Sequence, residues 1–222
     1  MKKSLIVTAI ALTAILVSAL VPACSALADG AVPRGVTDGE RYELNVFLSN
    51  FTEQAFTAYD ANTSDATLAE FAALHLWYNR RNAWEYGEWQ VGNWSYAYRI
   101  PAADLPAVCQ RFFGRQTQSL TPLHHGYDGA YVYHEGEGAP GDTRGFASVS
   151  CVEALGGGVF RAYFGAYGAG TGWTNEDCRL RPEQAAAKYA DFPVYTGAAL
   201  IVSEGGTLDS RQTFTLLELS LD

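Results

Sequence analysis

The chain carries four histidines, and three of them fall close together in His124-His125-Gly126-Tyr127-Asp128 and His134-Glu135. Imidazoles and carboxylates at close quarters can ligate a metal ion or move protons. His124, His125, Asp128 and His134 are therefore the candidate acid/base or metal-binding set, and they would serve an extracellular hydrolase. Their spacing matches neither an HExxH helix nor a zinc-knuckle pattern. Adjacent residues on a strand point to opposite faces, so His124 and His125 would not both reach one ion from there. No metal and no cofactor is expected. The fourth, His75, sits on the apolar stripe of a predicted helix and reads as a hydrogen-bonded core histidine. Acyl transfer needs an activated nucleophile beside a base, and neither a GxSxG elbow nor an SxxK pair occurs. Carboxylate pairs such as Glu85/Glu88 and Glu135/Glu137 suit glycoside hydrolysis only at a set separation in space. The residues lean away from an enzyme.

The aromatic residues make a second candidate. Trp77, Tyr78, Trp84, Tyr86, Trp89, Trp94, Tyr96 and Tyr98 are interleaved with Asn79, Asn82, Glu85, Glu88 and Asn93. Rings stack on the apolar faces of sugars or peptides while amides and carboxylates fix orientation. The same pattern also fits plain packing of one sheet face. Region 84–93 is the expected exposed site, with Trp84, Tyr86, Trp89 and Trp94 as ligand-binding residues.

These groups must be held by an α+β frame. Tyr42 to Leu48 alternates as a first strand. Asn62 to Asp65 offers N-cap candidates for a helix with Leu68, Phe71, Ala72, His75, Leu76 and Asn79 at helical spacing. Trp94, Tyr96 and Tyr98 alternate as a strand. Pro101 then opens a second main helix with Leu105, Val108, Cys109, Phe112 and Phe113 as its stripe, stopped by Gly114. Tyr131–Tyr133, Phe146–Leu155, Val159–Tyr167, Ala198–Val202 and Thr213–Leu221 read as strands, and Gly156-Gly157-Gly158 as a hairpin turn. Residues 181–189 read as a short helix. Two main helices early and strands late predict a largely antiparallel sheet of five to six strands under a single layer of helices.

Composition bounds the partners. Among 222 residues, 48% are hydrophobic, 13% aromatic and 18% charged, a globular balance. The net charge is −9, and no basic patch exists to release counterions from phosphates, so nucleic acid is not an expected partner.

The N-terminus directs the chain outward. Met1-Lys2-Lys3 is a basic start, Leu5 to Ala23 an apolar run, and Ala26-Leu27-Ala28 a small-x-small cleavage site. Residues 1–28 read as a secretory signal peptide. Val21-Pro22-Ala23-Cys24 is similar to a lipobox, which would cut before Cys24 and lipidate it. Residues 29–40 read as a tether and 41–222 as one globular domain. Contact with a membrane is then expected only through the signal or a lipid anchor. Cys109, Cys151 and Cys178 remain for an oxidising compartment. Cys151 and Cys178 are the expected bridge, and Cys109 is an inward-facing thiol of the second helix.

Leu44-Asn45-Val46-Phe47-Leu48-Ser49-Asn50-Phe51, then Phe71-Ala72-Ala73-Leu74-His75, then Tyr98-Arg99-Ile100-Pro101-Ala102-Ala103-Asp104-Leu105 running to Arg111-Phe112-Phe113-Gly114, form a recurring order. It resembles exported proteins and lipoproteins of Gram-positive gut anaerobes, a group with no known function to carry over. The resemblance implies localisation alone. Together these features predict an extracytoplasmic module, secreted or lipid-anchored, that binds an envelope glycan, peptide or protein.

Overall fold

Thr37-Asp38-Gly39-Glu40 opens helix α1 (Asp38–Thr52) with a capping box: Thr37 Oγ1 accepts from Glu40 N at 3.2 Å, and Thr37 N donates to the Glu40 carboxylate at 2.9 Å. The expected strand at Tyr42–Leu48 is thus helical. Leu44, Phe47, Leu48 and Phe51 recur at the helical period and are all buried, and this longer repeat overrides the short stretch of alternation. The computed structural model describes residues 33–136 and 144–222. The signal peptide, Cys24 and residues 29–32 of the tether lie outside the described residues. The remainder of the expected tether is tied down, since Arg34 exchanges two backbone hydrogen bonds with Val152 and α1 begins at Asp38.

After α1 come β1 (Ala58–Tyr59), α2 (Asp65–Asn79), β2 (Glu85–Val91), β3 (Trp94–Pro101), α3 (Leu105–Phe113), β4 (Gly126–Tyr127) and β5 (Tyr131–His134). Strands β6 (Phe146–Gly156) and β7 (Val159–Tyr167), helix α4 (Pro182–Lys188), and strands β8 (Tyr195–Ser203) and β9 (Phe214–Leu221) complete the chain. Ser64 caps α2 through Thr67 N, and Gly114 ends α3 in the left-handed conformation at φ 61°. The fold is α+β with antiparallel pairing throughout. The strands divide into two sheets, β1-β9-β8-β7-β6 and β2-β3-β5-β4, where one sheet was expected. One apolar core joins them: Ile100 and Val132 of the smaller sheet belong to the same cluster as Phe160, Ile201 and Phe214 of the larger.

Helix α1 lies against β6, the edge strand, and bonds to it through side chains. Asn45 Oδ1 accepts from Val149 N at 2.7 Å, Ser49 Oγ accepts from Ala147 N at 2.9 Å, and Arg41 Nε donates to Val149 O at 3.3 Å. Asn45 and Ser49 are buried, so the helix supplies partners that a further strand would otherwise provide.

Cys178 is a free, buried thiol 3.6 Å from Ser49 Oγ. The expected Cys151–Cys178 bridge is therefore not formed, because the turn at residues 177–179 aims Cys178 at α1. Cys109 is also free and buried, as its inward helix position implied. Burial pushes both free thiols up to about 11, which leaves them protonated and unreactive at neutral pH. Among the described residues no helix is long and apolar enough to cross a membrane.

Candidate functional site

The aromatic stretch is a hairpin, not a loop. Strands β2 and β3 pair antiparallel with Glu85 opposite Arg99, Tyr86 opposite Tyr98, and Val91 opposite Trp94. Gly92 and Asn93 connect them, and Gly92 takes φ 60°, a value that favours glycine at the head of a two-residue turn. A bulge interrupts the ladder between Tyr86 and Trp89. A Cβ at Gly87 would lie 2.8 Å from the Trp89 ring, so the missing side chain is what lets the indole fold back.

The four candidate aromatics part company. Tyr86 and Trp94 stand in solvent, 76% and 68% exposed. Trp89 is half-buried, with the Arg99 guanidinium 3.5 Å from its ring centre. Arg99 also lies 4.2 Å from the Tyr131 ring, and its Nε donates to Glu85 at 2.8 Å. This cation–π stack holds two rings at the surface in fixed orientation. Trp84, at 5% exposed, belongs to the interior and meets Trp77 edge-on at 5.4 Å. Its assignment to the surface is corrected here, because it precedes β2 and turns under the sheet onto α2.

The histidine set also divides. Asp128 is spent on its own turn: Oδ1 accepts from Ala130 N and Tyr131 N, and Oδ2 accepts from the Tyr133 hydroxyl at 2.7 Å. The Tyr133 hydrogen bond and these amides hold its carboxyl below the ordinary value. The His124 ring is exposed, and its backbone N–H donates to Glu70 at 3.0 Å. His125 and His134 do come together, with ring centres 5.1 Å apart. The partner of His125 is Glu70 of α2, whose Oε1 lies 2.9 Å from His125 Nδ1. His134 stacks on Trp77 at 3.9 Å and accepts from Gly136 N. Burial, then the charges of His125 and Arg81, pushes His134 down to about 4, so it is neutral at physiological pH.

A carboxylate–imidazole pair can orient a base. Here both side chains are enclosed, at 7% and 12% exposure, and His125 Nε2 is buried without a partner. The pair anchors the segment leading into β4 onto α2. Among the described residues no three of His, Cys, Asp and Glu form a group able to hold a metal ion.

A third constellation has no motif in the sequence. At the C-terminal ends of α1 and α2, Asn79 Nδ2 donates to Glu53 Oε1 at 3.3 Å and approaches His75 Nδ1 at 3.2 Å. The same amide nitrogen also donates to the His75 carbonyl at 3.1 Å. Both Glu53 and His75 line a cleft of about 390 Å³. Burial pushes the Glu53 carboxyl up to about 7. Burial, followed by the charges of Arg80 and Arg111, pushes His75 down to about 4. The Tyr78 hydroxyl, buried and without a partner, is raised to about 12 by burial and by the Glu53 charge.

No family model matches the chain. No curated protein and no solved structure matches it either.

Glu53 makes the fold pH-sensitive with a definite sign. Its value is raised from an ordinary 4.5, so the folded protein holds this proton more tightly than the unfolded chain. That contribution is fully present below pH 4.5 and is lost as pH rises through about 7. Glu53→Gln keeps an acceptor for Asn79 and cannot ionise. The variant should be more stable than the parent by about 2 kcal/mol at pH 8, with the gain gone near pH 4.5. Urea midpoints measured across this range check it.

Proposed function

We propose that the chain is an exported, envelope-associated module that binds carbohydrate through the β2–β3 hairpin. The observation carrying this reading is that Trp94 and Tyr86 stand largely in solvent on one hairpin. A solvent-facing indole and phenol on a two-stranded ribbon are costly to leave uncovered and suited to stacking. Glu88, Gln90 and Asn93 are exposed around them, which favours a ligand with an apolar face and many hydroxyls over a purely apolar protein surface. The leader-like residues 1–28 and the resemblance to exported proteins support placement outside the cytoplasm. Attachment by a lipid on Cys24 and free secretion are both consistent with this reading, and N-terminal analysis of the natural product separates them.

The test is retention on purified cell-wall glycan and on soluble polysaccharides in affinity gels. Trp94→Ala and Tyr86→Ala should each weaken binding about tenfold, and the double variant should abolish it. Both side chains are exposed, so the unfolding temperature should stay within about 2 °C of the parent. Undiminished retention by the double variant, or no retention by the parent, removes the reading.

A further inference from the structure

The cleft that holds Glu53 and His75 is also lined by Arg80, Arg111, Arg211 and Trp173. The chain has 24 acidic residues against 15 basic ones, so carboxylate partners are abundant. Arg211 has one, pairing with both oxygens of Glu43 at 2.8 and 2.9 Å. Arg111 does not. It donates to the carbonyls of Phe214, at 2.7 Å, and of Arg211, and no carboxylate pairs with it among the described residues. The Arg80 side chain makes neither a hydrogen bond nor an ion pair there, although its backbone caps α2. Two guanidinium groups without a carboxylate partner among the described residues therefore border one cleft in an acidic protein. Their field already reaches the interior, for both are causes of the low His75 value.

We propose that this cleft binds a small organic carboxylate, gripped by Arg80 and Arg111. A guanidinium fork matches a carboxylate with two parallel hydrogen bonds, and a low-dielectric wall strengthens the contact. The His75 ring is a further polar group at the cleft wall. Glu53, close to half-protonated at neutral pH, can share its proton with a bound carboxylate. Inorganic phosphate has no organic body for an apolar wall to cover. Trp173 offers a flat apolar face to the organic body of the ligand. The cleft volume of about 390 Å³ suits a small molecule rather than a chain segment. This inference is independent of the carbohydrate reading and uses none of the hairpin residues.

The experiment is calorimetric titration of the full mature protein at constant ionic strength and pH 6.5. The probes are acetate, malonate, succinate, inorganic phosphate and the uncharged succinamide. At least one carboxylate should bind saturably, with succinamide silent and phosphate weaker. Arg80→Gln should lower that affinity at least tenfold, and it removes a side chain with no internal partner, so folding is preserved. Arg111→Gln should do the same, with its folded state checked by circular dichroism. Loss of the His75 Cε1–H chemical-shift response in Arg80→Gln gives an independent readout. The proposal is overturned if no carboxylate binds saturably, if phosphate binds more tightly than every carboxylate, or if Arg80→Gln binds as the parent does.

Discussion

Phe51→Ala is expected to lower stability by about 4 kcal/mol, and the unfolding temperature by roughly 8–16 °C. Phe51 is fully buried at the C-terminal end of α1. Its ring lies 5.4 Å from Phe47, 5.1 Å from Phe71, 5.7 Å from Phe112 and 5.9 Å from Phe113. These rings belong to α1, α2 and α3, so one side chain cements all three helices. Truncation removes both the transfer free energy of the ring and the edge-to-face contacts that its neighbours cannot remake. Phe51→Leu keeps most of the volume and should cost less than half as much. Thermal unfolding by circular dichroism, with both variants beside the parent, checks the ratio. A loss below 1 kcal/mol for the alanine variant would mean that the rings do not pack as a unit.

Glu70→Ala should cost about 3 kcal/mol, although Glu70 touches neither the hairpin nor the cleft constellation described above. Its two oxygens satisfy the His125 ring and the His124 amide. Without them His125 would be an enclosed imidazole with no partner on either nitrogen, since Nε2 already has none. Glu70→Gln retains acceptors and should recover about half the loss. Burial opposes ionisation of Glu70, yet the hydrogen bond and charge of His125 and the His124 amide still hold its carboxyl below the ordinary 4.5. The contribution is therefore present above pH 4.5 and is lost as pH falls below it. His134 adds to this acid sensitivity. Its depressed value means that the unfolded chain takes up a proton between pH 6.5 and 4 while the folded one does not. The gap between parent and Glu70→Ala should close on acidification, which urea titrations at pH 7 and pH 4 would measure.

The parts of the fold written in local signals were legible from the residues. Ser64 before an apolar repeat marked α2, and Gly114 marked the end of α3. The β-branched and aromatic runs from Phe146 onward marked β6, β7, β8 and β9. Helix α1 was missed because Tyr42 to Leu48 alternates over a window too short to distinguish the periods. The Thr37–Glu40 box upstream was the signal that would have decided it. Strand β2 carries Gly87 in its interior, a residue that weakens a strand signal and here serves a bulge beneath Trp89.

The candidate sites were less legible, for a different reason. His125 meets Glu70, and Asn79 meets Glu53, only after the chain has folded back across long separations. No spacing rule joins such pairs. Trp84 and Trp94 are the same residue type in the same stretch, yet one fills the interior and the other faces water. Composition singled out the aromatic stretch, and tertiary packing decided which of its rings face water.

The amide and hydroxyl groups that α1 extends to β6 have a further effect on the protein in company. A sheet normally ends in a row of vacant backbone donors and acceptors onto which a neighbouring molecule can zip. Here Asn45, Ser49 and Arg41 occupy that row, and Arg34 closes it further along at Val152. The rim is sealed by its own chain, and fibril-like stacking has no foothold there, even at high protein concentration.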